Sequence, residues 1–473
     1  MNNFLIIDIS FLILFIIFTT TFLYRKRKNI KKSGWLFLYN TKWGINFINK
    51  VGDKYPKTLK ALSYVSVTMG YLLMAGMIWM LVRVASIYIF QPQIVAAVKM
   101  PPIMPLIPYT VSIFNLQNMF PSEIYFSYWI IILAVVAISH EFAHGIFARL
   151  NKVPVKKTGF GFFPHFLPVF PLAFVELNEK VMEKVSNFKQ RAILSAGTFA
   201  NVLTTIIGIL LMAGFFALSF SPTGIVFDDY ASNLINTSQI TSVNGIQLDN
   251  PNYQRISELL VEGEKNYFKT KTSSYSSLRG ASPDGKIISL YYDSPAMKAN
   301  LYGPITEING EEINSFNKFS EELNKYSSGE TIQVTTQVEG QETNYEIVLE
   351  QNPLDKENSW LGISFYGEKN SGIIGGITKL STFYKKPRMN YSPNYGFAPF
   401  IYGLFWWLIL ICFSVALVNM LPVGIFDGGR FFYLTVLLLT KSKKVAEKSY
   451  KGITNIFLLL LVVLMVFWAI GVF

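Results

Sequence analysis

Along most of this chain apolar residues run on without interruption instead of alternating with polar ones. Windows of about 20 apolar residues, the length a helix needs to cross a bilayer, occur at roughly 4–24, 63–90, 126–149, 191–219, 397–421 and 453–473. They predict six spanning helices. Two further apolar stretches are interrupted by proline, which removes a backbone donor and breaks a helix. Segment 159–177, with Pro164, Pro168 and Pro171, reads as a re-entrant loop or short hairpin against the membrane. Segment 92–122, with Pro92, Pro101, Pro102, Pro105, Pro108 and Pro121, reads as an irregular outer cap.

Between about 222 and 395 the pattern turns polar, with short alternating runs such as Ile332-Gln333-Val334-Thr335-Thr336-Gln337-Val338, the period of half-buried strands. A faint repeat lies within it. Ile240-Thr241-Ser242-Val243-Asn244-Gly245-Ile246 and Ile305-Thr306-Glu307-Ile308-Asn309-Gly310-Glu311 each predict a strand running into an Asn-Gly turn. The fold class expected is a polytopic α-helical membrane protein of about six transmembrane helices, carrying an extracytoplasmic, mostly-β insert.

Composition agrees with embedding in a lipid bilayer. Of 473 residues 51% are hydrophobic and only 15% charged, against about 25% charged in a typical soluble domain. That excludes an ordinary cytosolic enzyme, a disordered chain and a nucleic-acid-binding tail protein, so no nucleic-acid partner is expected. The net charge of +12 is accounted for by orientation. Arg25, Lys26, Arg27, Lys28, Lys31 and Lys32 follow the first apolar run, so that run reads as an anchor with its N-terminus outside, not as a cleaved signal peptide. On that basis segments 25–62, 150–190 and 430–452 are cytoplasmic, and all are rich in Lys and Arg, whereas 91–125 carries only Lys99. The single cysteine, Cys412, excludes an intrachain disulfide framework and a cysteine-based zinc site.

Two of the three histidines fall in His140-Glu141-Phe142-Ala143-His144. On a helix this H-E-x-x-H pattern puts both imidazoles on one face, where they can hold one zinc ion, with the glutamate beside them able to take a proton from water. The motif ends an apolar span, and ionisable groups at such depth mark functional sites. A tetrahedral zinc needs a third protein ligand. Asp427, in Asn419-Met420-Leu421-Pro422-Val423-Gly424-Ile425-Phe426-Asp427-Gly428-Gly429, is the only carboxylate between 397 and 440. Pro422 and Gly424 would unwind the helix there and let the carboxylate turn toward a metal. Asp427 could instead cap the following helix, and His165, in the proline-rich loop, is a weaker third-ligand candidate.

These residues resemble the site-2 protease family of intramembrane zinc metalloproteases. The resemblance rests on His140 to His144, on the N-x-x-P-x-x-x-x-D-G pattern from Asn419 to Gly428, and on Gly197-Thr198-Phe199-Ala200-Asn201, which looks like the family's G-x-x-x-N helix. It implies that His140, His144 and Asp427 bind zinc (Zn2+), that Glu141 is the catalytic base, and that the substrate is a transmembrane protein or peptide. Asn201 and Asn419 either hydrogen-bond the substrate or hold helices together. The loop 159–177 could offer an extended edge to a substrate unwound from helix to strand. Asp293-Ser294-Pro295-Ala296-Met297-Lys298-Ala299-Asn300-Leu301 leading to Asn309-Gly310 resembles a PDZ domain, completed by a helix over 316–327 and strands over 331–338 and 343–350.

The division expected is N-terminal helices and a basic loop over 1–125, a first catalytic half over 126–220, a first PDZ-like copy over 221–292, a second over 293–365, a linker over 366–396, and a second catalytic half with the last helix over 397–473. The insert is expected to act as a size filter for substrates. Two competing readings remain. One is a membrane peptidase cutting exposed or lipidated tails, with Glu176 as third ligand; the other is a non-catalytic adaptor that retains a zinc site, against which an intact Glu141 argues.

Overall fold

A computed structural model describes residues 3–472 apart from positions 34–35, 43, 99, 118, 163–170, 283, 339, 354, 356–357 and 366–381. It divides into two compact units, Met1–Gly214 with Pro399–Phe473, and Phe215–Ala398.

Among the described residues six helices are long and apolar enough to cross a membrane: α1 (Asn3–Arg25), α3 (Pro56–Phe90), α4 (Phe126–Leu150), α5 (Asn187–Ser219), α6 (Ala398–Asn419) and α8 (Lys443–Val472), lying wholly or mostly in the first unit. The protein is thus an integral, multi-pass membrane protein. Among the shorter helices are α2 (Ile45–Lys54) and α7 (Asp427–Thr440). Proline explains two boundaries. Pro56 opens α3 at a position where no backbone donor is needed, and Pro422 stands just beyond the end of α6.

The apolar stretch 159–177 forms a hairpin of β3 (Val155–Phe162) and β4 (Pro171–Leu177); its tip, including His165, lies outside the described residues. The basic segment 25–62, read from sequence only as a cytoplasmic loop, contributes more. Its strands β1 (Ile30–Ser33) and β2 (Leu36–Thr41) pair into one antiparallel sheet of order β1-β2-β3-β4, with Leu38 opposite Gly161 and Thr158 opposite Val175. Among the described strands β4 is therefore an edge strand. Helix α2 lies against the catalytic-motif helix α4: Ile48 is fully buried, and a Cβ on Gly145 would come within 2.9 Å of its Cδ1. The Arg149 guanidinium grips Asp53 with two bonds of 2.9 and 2.7 Å, and holds that carboxyl below its usual range through this hydrogen bonding.

Segment 92–122 is irregular, as its prolines require, apart from short helices at Pro92–Val98 and Thr110–Ile113. Just after it, the free N–H groups that open α4 are satisfied from another helix. Asp8 of α1, only 2% exposed, accepts from Phe126 N at 2.7 Å, Ser127 N at 2.9 Å and Tyr109 Oη at 2.6 Å.

The second unit contains two antiparallel six-stranded sheets, each with its own apolar core, one around Ile240, Val243, Phe268 and Ile288, the other around Ile225, Ile305, Ile308 and Ile332. Strand Phe220–Ile225 precedes the first core in sequence yet pairs into the second sheet. Both Asn-Gly pairs sit in left-handed turns, with φ of 51° and 82° at Asn244 and Gly245 and 48° and 81° at Asn309 and Gly310, the conformation that Asn and Gly tolerate best. The expected helix over 316–327 spans Phe316–Leu323, and the two following strands span Thr331–Val338 and Gln341–Val348.

Candidate metal centre

On α4, His140 and His144 lie one turn apart on a single face, both buried, with their Nε2 atoms 3.0 Å apart. Asp427 reaches them from 287 residues further along the chain. Pro422 ends α6, residues 420–426 turn, and Asp427 becomes the first residue of α7. Its N-cap is Phe426, with no side-chain capping bond. The Asp427 carboxylate instead points its Oδ2 at His140 Nε2 (3.2 Å) and His144 Nε2 (3.1 Å). The two glycines that follow are required by close backbone contact. A Cβ on Gly428 would lie 2.4 Å from the Met420 carbonyl, and one on Gly429 2.5 Å from Val423 O.

Among the described residues these three side chains are the one group of His, Cys, Asp or Glu arranged to hold a metal ion. Their ligand atoms form a near-equilateral triangle, close to the edge of about 3.3 Å that a tetrahedral ion with 2.0–2.1 Å bonds would impose. The surroundings suit a cation. His144 Nδ1 lies 2.7 Å from Ile193 O, so it carries the ring proton, donates to that carbonyl and leaves Nε2 free to ligate. His140 Nδ1 is 3.2 Å from the side-chain amide of Asn201, which in turn is 3.2 Å from Ser139 Oγ. The amide nitrogen of Asn201 faces that Nδ1, while its oxygen accepts from Ser139 Oγ; with Nε2 of His140 on a metal, Nδ1 would carry the proton, and turning the amide over would present its oxygen as the acceptor. Helix α5 meets this pair at backbone distance: a Cβ on Gly197 would stand 2.5 Å from His144 Nε2 and 2.6 Å from His140 Nε2.

Glu141 stays out of the triangle. Its Oε2 accepts the backbone N–H of Val175 on β4 at 2.9 Å, and it lines, with the three ligand candidates, a cavity of about 630 Å³. Ala173, Val175, Glu176 and Leu177 of β4 form one wall, and Asn419 part of another. The two asparagines therefore occupy different places. Asn201 is fully buried behind His140, whereas Asn419 faces the cavity. Glu176, the alternative third ligand, is half exposed and sits between Lys156 and Lys157, 3.8 Å from each. Arg430 pairs with Glu179 at 2.6 Å among the lining residues.

The partners that sequence reasoning missed are mostly backbone groups, Ile193 O and Val175 N–H, which carry no residue-type signal. Ser139, the neighbour of the first histidine, had one only through its adjacency to the motif.

Fold and site together define an integral membrane metallopeptidase. The chain belongs to peptidase family M50, the site-2 protease family, whose family description matches residues 128–464 and so takes in His140, His144 and Asp427. No curated protein matches it. Among solved structures, the chain is similar to the PDZ domain of an SdrC-like protein from Listeria monocytogenes, at 26% identity over 15% of this chain and 75% of that one, with a TM-score of 0.14.

Proposed function

We propose that this protein is a zinc endopeptidase that cleaves a transmembrane helix of a membrane-protein substrate near the cytoplasmic face, releasing a cytoplasmic fragment. The observation that carries the reading is the ligand triangle of His140, His144 and Asp427 facing the same cavity as Glu141. Two imidazoles and one carboxylate, buried and oriented by Ile193 O and Asn201, are a donor set that fits zinc and leaves a fourth position open, as catalytic sites do. When bound, zinc supplies Lewis acidity, polarising a carbonyl and making a water ligand acidic near neutral pH.

The chain's own groups account for the rest. Glu141 takes a proton from the attacking water and passes it to the leaving amide nitrogen. The Val175 N–H holds its carboxylate at the cavity wall. A peptide bond inside a helix is shielded by its own hydrogen bonds, so the substrate has to unwind first. The outer edge of β4 offers main-chain partners to such an extended segment, the strand-addition mode of peptide recognition. Asn419, which lines the same cavity, bonds the substrate backbone in this reading.

The Lys- and Arg-rich segments orient the molecule with its termini outside and the metal centre toward the cytoplasm, in the cell membrane. The second unit is read as a PDZ-like pair that filters substrates by size. The test is metal analysis combined with cleavage of a transmembrane peptide in detergent, with and without chelator. Glu141→Gln should keep zinc and lose cleavage; appreciable turnover by this variant would sink the mechanism.

A further inference from the structure

A second cavity, of about 380 Å³, runs along one stripe of α6, walled by Trp407, Leu410, Ser414 and Val418 and by Leu106 and Ile124 from the segment before α4. It does not end blindly. Val415, Asn419 and Phe426 line both this groove and the metal-centre cavity, so the two are continuous at the last turn of α6.

We propose that this groove docks the uncleaved, still helical half of the substrate's transmembrane segment, the half that continues from the scissile bond toward the N-terminal end of α6; this rests on the peptidase reading above. Continuity with the metal cavity is the first argument, because one chain can then occupy both sites with its unwound part beside Glu141. Length is the second. The stripe from Trp407 to Val418 extends about 17 Å at 1.5 Å per residue, roughly half of a hydrocarbon core about 30 Å thick.

Chemistry is the third argument. The lining residues carry no charge, so the wall selects an uncharged apolar helix. Its middle carries Ser414, a small, exposed side chain whose hydroxyl has no hydrogen-bond partner among the described residues. Small residues with a free donor allow close helix approach and supply an interhelical bond. The walls are also held in place: Trp129 Nε1 donates to Leu106 O at 2.9 Å, and Trp407 Nε1 to Ser122 O at 3.2 Å. Leu106 and Ile124 lie before residue 128, where the family match begins, so the wall they build selects substrates through a part of this chain that the family match does not cover.

The test is disulfide crosslinking in detergent, in the Glu141→Gln background, of a transmembrane peptide carrying one cysteine in the half away from the scissile bond. Ser414→Cys should crosslink to it, and adding Leu410→Trp, which fills the groove, should abolish the crosslink. Leu203→Cys, on an exposed part of α5, is the reference for random encounter. Crosslinking at Ser414→Cys no stronger than at Leu203→Cys, or unaffected by Leu410→Trp, would overturn the proposal and leave the groove to lipid acyl chains. Cleavage of the same peptide by the unmodified protein is read in parallel. Crosslinking without that cleavage supports the docking site and counts against the peptidase reading alone.

Discussion

Gly197 lies so close to His144 that a Cβ at this position would stand 2.5 Å from its Nε2. Real Cβ atoms do not approach other heavy atoms that closely, so α5 meets the histidine face of α4 only because this residue has no side chain. Gly197→Ala must push the two helices apart or tilt the imidazoles, a change of the overpacking kind that costs about 1–3 kcal/mol. The expected result is loss of bound zinc in metal analysis with helical content retained. Gly214→Ala, on the same helix with nothing within 4 Å of its Cβ, should leave the metal in place.

The assignment of the third ligand separates two acids. Asp427→Ala removes the carboxylate whose Oδ2 lies within 3.2 Å of both histidine Nε2 atoms, and zinc affinity should fall by more than the roughly 10–100-fold expected for loss of an outer partner. Glu176→Ala should leave zinc content unchanged, because that carboxylate is engaged with Lys156 and Lys157. The reverse pattern in metal analysis would move the ligand to Glu176.

Asn201 and Asn419 should behave differently although both are asparagines in spanning helices. Asn201→Ala removes the partner of His140 Nδ1 and should weaken zinc binding about 10–100-fold. Asn201→Asp, which still accepts the ring proton, should recover part of that loss. Asn419→Ala should keep zinc and lower the rate of peptide cleavage, because it lines the cavity and, among the described residues, makes no hydrogen bond to a ligand candidate. Zinc titration beside steady-state kinetics distinguishes the two effects.

Asp8 ties α1 to the start of the catalytic-motif helix through Phe126 N and Ser127 N. Asp8→Ala leaves both donors buried without a partner, and should cost about 0.5–2 kcal/mol, the usual range for a lost cap. A lower thermal unfolding midpoint in detergent is the readout. Asp8→Asn, which keeps one acceptor, should lose less.

Much of this protein is legible in its sequence because the features concerned are local. A bilayer demands about 20 apolar residues per helix whatever the neighbours do, and six such runs are visible without a structure. The i, i+4 spacing of His140 and His144 places them on one helix face by helical geometry alone. Asn244-Gly245 and Asn309-Gly310 announce their turns because the left-handed conformation is cheap for those two residue types. The Asp427 motif marks a broken helix through Pro422 and names the only acid nearby.

Tertiary structure decided whatever depends on one backbone approaching another. Which asparagine stands behind a ligand and which faces the cavity follows from how α5 and α6 rotate against α4, since both present the same chemistry in the sequence. Ile193 O and Val175 N–H take part as main-chain groups, so no residue type advertises them. Strands β1 and β2 are short, and β1 is Ile-Lys-Lys-Ser, too polar and too brief to show an alternating pattern. They are strands because the β3–β4 hairpin supplies ladder partners more than a hundred residues away in the chain. Phe220–Ile225 likewise joins the second sheet of its unit past the whole first core. Pairing over such separations is set by which main-chain edges packing brings together, and that information is absent from any local stretch of sequence.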